Sequence, residues 1–173
     1  MHAAGQVVSF TRTGGPPTDA LQRALNDLLP EDVAILGAED AQDDFSARFS
    51  AVSRSYGYDV LCAPVRDPLL AFRELHEPRP VDRALLDELA ARIVGEHDFT
   101  AFTPAETQHR TFTRTVHAAE WFDTERGLQF RITANAFLRH MVRTLVGTML
   151  EIARSDRGTD PRSEEHTSEL QSH

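Results

Sequence analysis

The chain has no lysine and only one cysteine, Cys62, among its 173 residues. A single cysteine excludes an internal disulfide framework and a zinc site built from several thiolates. No apolar run approaches the roughly twenty residues that a membrane-spanning helix needs, and the sequence does not open on a basic stretch followed by an apolar one. We therefore expect a cytosolic protein without a membrane segment.

All eighteen cationic residues are arginines, against 27 acidic residues, and the net charge is -9. This acidic balance argues against a general nucleic-acid-binding protein, which usually carries a basic patch or a high pI. Arginine nevertheless binds phosphate through a bidentate fork. Any RNA contact must therefore use a local arginine surface and be sensitive to salt.

Apolar residues recur at three- and four-residue spacing through 137–150, which predicts an amphipathic helix. The predicted buried face consists of Met141, Val142, Leu145, Val146, Met149 and Leu150. This leaves Arg139, His140 and Arg143 together on the polar face. The alternative interpretation is an ordinary surface helix whose cations are solvated.

The other periodic segments predict an α+β fold, with a mainly antiparallel sheet and flanking helices. Strands are predicted at 6–11, 33–38, 45–50, 54–62, 115–122 and 128–134, and helices at 18–29 and 82–95. Asn135 is the predicted N-cap of the last helix, and Gly147 is small enough to let another backbone approach. Alternation within 54–62 places Tyr56, Tyr58, Val60 and Cys62 on one face of their strand.

Five separated blocks stand in order along the chain. They are 2–10 (HAAGQVVSF), 43–51 (DDFSARFSA), 53–58 (SRSYGY), 95–102 (GEHDFTAF) and 135–147 (NAFLRHMVRTLVG). In this order they closely resemble the tRNA pseudouridine synthase A (TruA) family, from His2 to about Arg154. The resemblance implies a pseudouridine synthase fold. It also implies isomerisation of uridine to pseudouridine in the anticodon stem-loop of tRNA, at positions 38–40.

The resemblance also shows what the chain lacks. Family members read Gly-Arg-Thr-Asp-Ala-Gly-Val-His where this chain reads Met1-His2, and the aspartate of that motif is the catalytic residue. We therefore expect a gene record truncated at its front and a chain that is inactive as it stands. Residues 162–173 look like the translation of a sequencing-library adapter. They carry a net charge of -2, so that residues 1–161 carry -7.

The expected organisation has four parts. They are 1–62, a remnant of the N-terminal catalytic subdomain; 63–94, a connector and helix; 95–161, the C-terminal α/β subdomain; and 162–173, a non-native tail. By the resemblance the intact enzyme is a homodimer that binds tRNA and needs no metal or cofactor. The histidines include no His-Glu-x-x-His pair, and those at 97, 109 and 117 lack convincing partners for zinc.

Two residues match catalytic positions of the family. Arg143 matches the arginine that pairs with the aspartate, because desolvation would otherwise raise the pKa of a carboxylate in a dry pocket. Tyr56 matches the tyrosine that packs on the target uracil and to which a part in proton transfer is assigned. An aromatic face can replace the stacking that a flipped base loses. The alternatives are a solvent-facing arginine and a core tyrosine.

Further residues are predicted to contact RNA, namely His2, Gln6, Arg48, Arg139 and His140. The first two continue the family's catalytic loop into its strand and would line the rim of the site. Arg48 contacts phosphate or braces the loop that holds the aspartate, or alternatively pairs with an aspartate at 43–44. Arg139 and His140 would contact the RNA backbone, with a solvated helix face as the alternative.

Three functional classes are considered. The first is a tRNA pseudouridine synthase whose nucleophile is absent from this chain. The second is a non-catalytic RNA-binding or dimer-forming module that kept the arginine surface. The third is a small metabolic enzyme with a similar sheet, because such folds host many activities. The ordered blocks favour the first.

Overall fold

The computed structural model describes residues 3–106 and 110–154. It divides the chain into two compact units, with the boundary between Val52 and Ser53. The division predicted from the sequence, at 62 and 94, concerns the domains of the whole protein and stays a prediction. Each unit is described by itself below.

The first unit contains the helix α1 (Thr18–Leu28), as its spacing predicted, and no strand among its described residues. The strands predicted at 6–11, 33–38 and 45–50 are therefore wrong. A strand forms only where a neighbour satisfies its backbone groups, and no described segment of this unit supplies one.

Apolar side chains in the three segments that were predicted as strands face solvent instead. Val8 is 71% exposed, Leu36 83% and Phe49 81%. The segment after α1 is held by polar contacts, since Gln22 Nε2 and Asn26 Nδ2 both donate to the carbonyl of Ile35. These segments thus have the residue pattern of strands. Among the described residues of this unit, however, no neighbouring segment forms the hydrogen bonds that a strand needs.

The second unit is built on one sheet in the order β2-β1-β5-β4-β3. Its strands are β1 (Arg54–Leu61), β2 (Glu74–His76), β3 (Gly95–Asp98), β4 (Thr113–Thr124) and β5 (Gly127–Ala134). The pair β1–β2 is parallel and the other three pairs are antiparallel. This confirms the predicted α+β fold with a mainly antiparallel sheet.

The helices α2 (Arg83–Arg92) and α3 (Met141–Ala153) contact each other, α2 contacts β4, and a 3₁₀ turn at Thr100–Phe102 contacts α3. Between these elements lies one apolar core. Its largest fully buried side chains include Phe99, Phe130, Leu86, Ile132, Met141, Leu145 and Leu150. Each such side chain contributes roughly 2 kcal/mol through burial, so this core is the main source of stability in the second unit.

Alternation in β1 is confirmed from Ser55 to Val60, because Tyr56 and Tyr58 pack against the core while Ser55 and Gly57 are exposed. It does not extend to Leu61, which is buried although the pattern puts it on the other face. Cys62 departs from the prediction. It lies beyond the end of β1 and is exposed. Its backbone N–H still donates to the Arg126 carbonyl at 3.1 Å, but residue 62 lies past the last paired position of β1, at the end of the sheet, where its side chain is exposed.

The predicted apolar face of α3 is buried as expected, with only Val142 partly exposed. The predicted N-cap is wrong, since the cap position is His140, in the left-handed conformation at φ 63°. Asn135 lies six residues before the helix and has another role. Gly147 is exposed, and no atom of the residues that the structure describes, apart from its own helix backbone, lies within 4 Å of where its Cβ would stand, so no other backbone among them approaches it.

A buried carboxylate ties the connector before α2 to the end of α3. Glu77, 2% exposed, accepts from Arg154 Nη2 at 2.6 Å and from Arg79 Nε at 3.0 Å. Burial raises the pKa of Glu77, but the hydrogen bonds from Arg154 and Arg79 outweigh it and the net pKa is lowered. This ionic cluster therefore stabilises the folded unit as long as Glu77 is ionised.

Replacing Glu77 with glutamine should lower the free energy of unfolding by roughly 3 kcal/mol, because two guanidinium groups lose their carboxylate. The folded-state pKa is depressed, so the contribution is complete above pH 4.5, the ordinary glutamate pKa, and is lost as the pH falls through the lowered value. Urea unfolding between pH 3 and 7 checks this. A pH slope in Glu77→Gln as steep as in the parent would contradict it, and Glu88→Gln, in an exposed pair, is the control.

Candidate functional site

The segment 135–140 is tethered to one end of the sheet by Asn135. The backbone N–H of Asn135 donates to the Thr115 carbonyl at 3.0 Å, and its Oδ1 accepts from Thr115 N at 3.1 Å and Ala136 N at 2.7 Å. Arg54 Nη1 donates to the Asn135 carbonyl at 3.1 Å. Asn135 therefore fixes the loop before α3 against β1 and β4.

This loop carries an aromatic side chain that meets Tyr56. The rings of Tyr56 and Phe137 pack edge to face, with centroids 4.9 Å apart and planes at 87°. Such pairs prefer this geometry and add roughly 1 kcal/mol beyond the buried area. Phe137 precedes the first residue of α3 by four positions, so the contact places Tyr56 beside the segment that leads into α3.

Basic side chains cluster in sequence around the start of α3. Arg139, His140 and Arg143 are all exposed. Within the described ranges, no carboxylate pairs with Arg143 and no side chain caps the first turn of the helix. The N-terminus of a helix carries a partial positive charge, which adds to that of the arginines. The arrangement suits an anionic group, and the described residues do not supply one.

The helix start is anchored through the backbone carbonyls of Arg139 and His140 rather than through their side chains. Thr103 Oγ1 donates to the Arg139 carbonyl at 3.1 Å, which joins the 3₁₀ turn to the loop. Thr144 N donates to the His140 carbonyl at 3.0 Å and closes the first turn. The side chains of Arg139 and Arg143 are therefore left available for a ligand.

Of the remaining residues predicted to contact RNA, two lie in the first unit and one lies outside the described residues. Gln6 and Arg48 are exposed residues of the first unit, and the Arg48 guanidinium lies 5.2 Å from the centre of the Phe49 ring. His2 lies outside the described residues. Tyr56 thus lies next to the loop that leads into α3, the helix that bears Arg143. The functional roles of all the predicted site residues stay predictions.

Sequence reasoning missed a buried cation, Arg114, which is 8% exposed. Its Nη1 donates to the carbonyls of Thr111 and Thr113, and burial lowers its pKa. Its burial could have been predicted from its position two residues before Val116, because residues two apart in a strand lie on the same face of the sheet. Phe137 was also missed as the partner of Tyr56, because periodicity assigned it to the helix.

Over residues 3–106 and 110–154, no group of three or more histidine, cysteine, aspartate or glutamate side chains is placed to hold a metal ion. No helix in that part of the chain has the length and apolar content needed to cross a membrane.

Comparison with known proteins assigns a family to this geometry. A family model described as tRNA pseudouridine synthase matches residues 89–171, which includes β3, β4, β5 and α3. Curated relatives named tRNA pseudouridine synthase A match at 41% identity in Bacillus velezensis and at 40% in Bacillus subtilis, each over 87% of this chain and 61% of the relative. A third, from Chromobacterium violaceum, is 40% identical over 89% of this chain and 59% of its own length.

The chain thus spans about three fifths of the length of the curated relatives it matches. The matched region contains Tyr56-bearing β1, the tethered loop and α3, all in the second unit. The identity is high enough, and the share of this chain large enough, that the likeness covers the whole sheet and not a single motif. The chain belongs to the tRNA pseudouridine synthase A family.

Proposed function

We propose that this chain forms one side of the active site of a tRNA pseudouridine synthase, which isomerises uridine in the anticodon stem-loop. The observation that carries the proposal is the edge-to-face contact of Tyr56 with Phe137, four residues before α3 begins. The contact sets the Tyr56 ring against the segment that leads into α3, the helix that bears Arg143, and an aromatic ring is suited to stack on a flipped base. The names of the relatives support the reaction.

The reaction breaks the glycosidic bond at N1 of the uracil and rejoins the base through C5, so atoms balance without an oxidant or reductant. It needs an ionised carboxylate at the sugar, and the exposed guanidinium of Arg143 is suited to keep that carboxylate ionised. The carboxylate is the aspartate that the family resemblance expects in front of His2. Tyr56 would cover the base and Arg143 would hold the aspartate.

Around this centre, Arg139 and His140 would contact tRNA phosphates, and His2, Gln6 and Arg48 would complete the RNA surface. The protein as a whole is acidic, so binding would depend on this local set of cations and weaken steeply with salt. We place the reaction in the cytosol and the intact enzyme in a homodimer, as the resemblance implies.

The test compares two proteins on unmodified tRNA, with pseudouridine counted by mass spectrometry of the digested nucleosides. The first is the 173-residue chain, which should form none. The second is the same chain preceded by the part of the Bacillus subtilis relative that comes before the matched region, and it should be active. Equal activity of the chain alone would show that another carboxylate serves. Inactivity of the fused protein despite tRNA binding would favour the non-catalytic RNA-binding module.

A further inference from the structure

A tight turn joins the tethered loop to α3. Met141 N donates to the Leu138 carbonyl at 3.2 Å, which closes a four-residue turn over 138–141 with Arg139 and His140 in its middle. Among the described residues other than glycine, His140 alone has a positive φ, at 63°, so Arg139 has a negative one. A negative φ followed by a positive one is the pattern of a type II turn, which favours glycine at its third position.

The same turn can be made without a left-handed residue. Rotating the peptide between Arg139 and His140 by about half a turn gives a type I turn, whose dihedral angles are close to those of a right-handed helix. For a residue with a side chain, the left-handed conformation is roughly tenfold less favourable than the right-handed one. A type I turn would also let α3 begin earlier, as the apolar spacing through 137–150 predicted. Some contact must therefore hold this peptide in the orientation that the structure shows.

The side chain that makes this contact is Thr103. Its Oγ1 donates to the Arg139 carbonyl at 3.1 Å. That carbonyl belongs to the peptide whose orientation distinguishes the two turns, and after the rotation it would point away from Thr103. The hydrogen bond can therefore form with the type II turn and not with the type I turn.

Thr103 is itself fixed within the second unit. It directly follows the 3₁₀ turn Thr100–Phe102 and is half-buried. Phe102 packs against the core and meets the buried ring of Phe99, with ring centroids 6.0 Å apart. Phe99 N in turn donates to the Phe112 carbonyl at 3.1 Å. Because this element is packed and hydrogen-bonded, its hydroxyl can hold a neighbouring loop in one conformation.

The turn carries two of the residues predicted to contact RNA. Leu138 and Met141 at its ends are buried, whereas Arg139 and His140 between them are exposed. Within 3–106 and 110–154, the side chains of Arg139 and His140 have no hydrogen-bond or ion-pair partner. Rotating the peptide between these two residues would move the backbone atoms from which both side chains leave. The choice of turn therefore decides where both side chains point.

We propose that Thr103 is a positioning residue for tRNA binding. Its hydroxyl holds the turn 138–141 in the type II form and thereby directs Arg139 and His140 toward the phosphates of the RNA. This inference rests on the proposed function and adds to it a residue outside the predicted RNA contacts. Arg143 lies within α3, beyond the turn, so Thr103 acts on the affinity for tRNA and not on the chemical step.

The test measures tRNA affinity and single-turnover rate in the fused protein described above. Thr103→Val removes the hydroxyl and should raise the dissociation constant for unmodified tRNA about fivefold, while the rate at saturating enzyme changes by less than about twofold. Thr103→Ser keeps the donor and should bind within about twofold of the parent. Thr100→Val is the matched control and should bind like the parent, since the Thr100 hydroxyl of the same 3₁₀ turn donates to Asp98 and not to the loop.

Glycine at position 140 distinguishes an effect through the turn from a direct contact with RNA. Glycine adopts left-handed backbone freely, so the type II turn would no longer depend on Thr103. In the His140→Gly background, Thr103→Val should therefore weaken tRNA binding by less than about twofold. A full fivefold loss in that background would overturn the proposal. Parent-like binding by Thr103→Val, or weakened binding by Thr103→Ser, would overturn it as well.

The turn can also be followed without RNA, through amide hydrogen exchange at Arg143. The first N–H groups of a helix have no acceptor within it, and no side chain caps α3. In a type I turn the Arg139 carbonyl would face the Arg143 N–H as in a continued helix, so Thr103→Val should slow exchange at Arg143. Unchanged exchange would refute the hold of Thr103 on the turn. A fused parent protein that neither binds nor modifies tRNA would instead refute the proposed function.

Discussion

Replacing Arg143 with glutamine should lower the rate of pseudouridine formation by about 10²- to 10³-fold in the active fused protein. The reason is that a carboxylate in a dry site loses its cation, a change worth roughly 3–4 kcal/mol. Single-turnover conversion of unmodified tRNA, at saturating enzyme, measures this rate separately from tRNA affinity. The structure leaves the Arg143 guanidinium exposed and without a carboxylate among the described residues, so no internal ion pair is broken.

The pH profile separates this role from a general contribution to RNA binding. Without the guanidinium, the pKa of the carboxylate rises, so the residual activity of Arg143→Gln should require a higher pH than that of the parent. Arg92→Gln, on the exposed face of α2, removes the same charge elsewhere and should leave rate and profile unchanged. A purely salt-dependent loss of affinity with an unshifted profile would rule out the pairing.

Replacing Gly127 with alanine should destabilise the second unit by roughly 3 kcal/mol. Gly127 has φ +151°, and an added Cβ would lie 2.4 Å from the Val60 carbonyl oxygen and 2.5 Å from Cys62 N. Both are backbone atoms of the adjacent segment, so they cannot rotate away. Denaturant unfolding followed by circular dichroism measures the change.

The matched control is Gly147→Ala in α3. Outside its own helix backbone, no described residue comes within 4 Å of the added Cβ, and alanine favours a helix over glycine by roughly 1 kcal/mol, so this variant should be more stable than the parent. If Gly127→Ala unfolds at the same denaturant concentration as the parent, the close approach of the β4–β5 turn to the end of β1 is wrong.

Elements whose signals are local were predictable. Asp82, the first residue of the helix predicted at 82–95, caps α2 by accepting from Leu85 N. The β4–β5 hairpin turns at 124–127, where glycine follows polar residues, within the predicted connection. The buried face of α3 followed from its spacing because burial there is set by helix geometry alone.

Elements that depend on distant partners were not predictable. Asn135 has the composition of an N-cap, yet its side chain accepts from Thr115 N, a residue twenty positions earlier in the chain. The alternation at 6–11 is that of a strand, but a strand requires a neighbour. In the same way, the apolar spacing predicted that Phe137 lies in the last helix. It lies instead in the loop before α3, where its ring packs against Tyr56 of β1.

The amino-acid sequence by itself determined the family, the two helices of the second unit, the central hairpin and the identity of the candidate residues Tyr56 and Arg143. These follow from spacing and from ordered motifs, which need no knowledge of what lies nearby in space. Only the tertiary structure decided that Asn135 tethers the loop to the sheet, that Tyr56 packs on Phe137, and that β3 pairs with β4 only from Thr113 to Val116. Each depends on which segments become neighbours, and that is settled by the packing of the whole sheet.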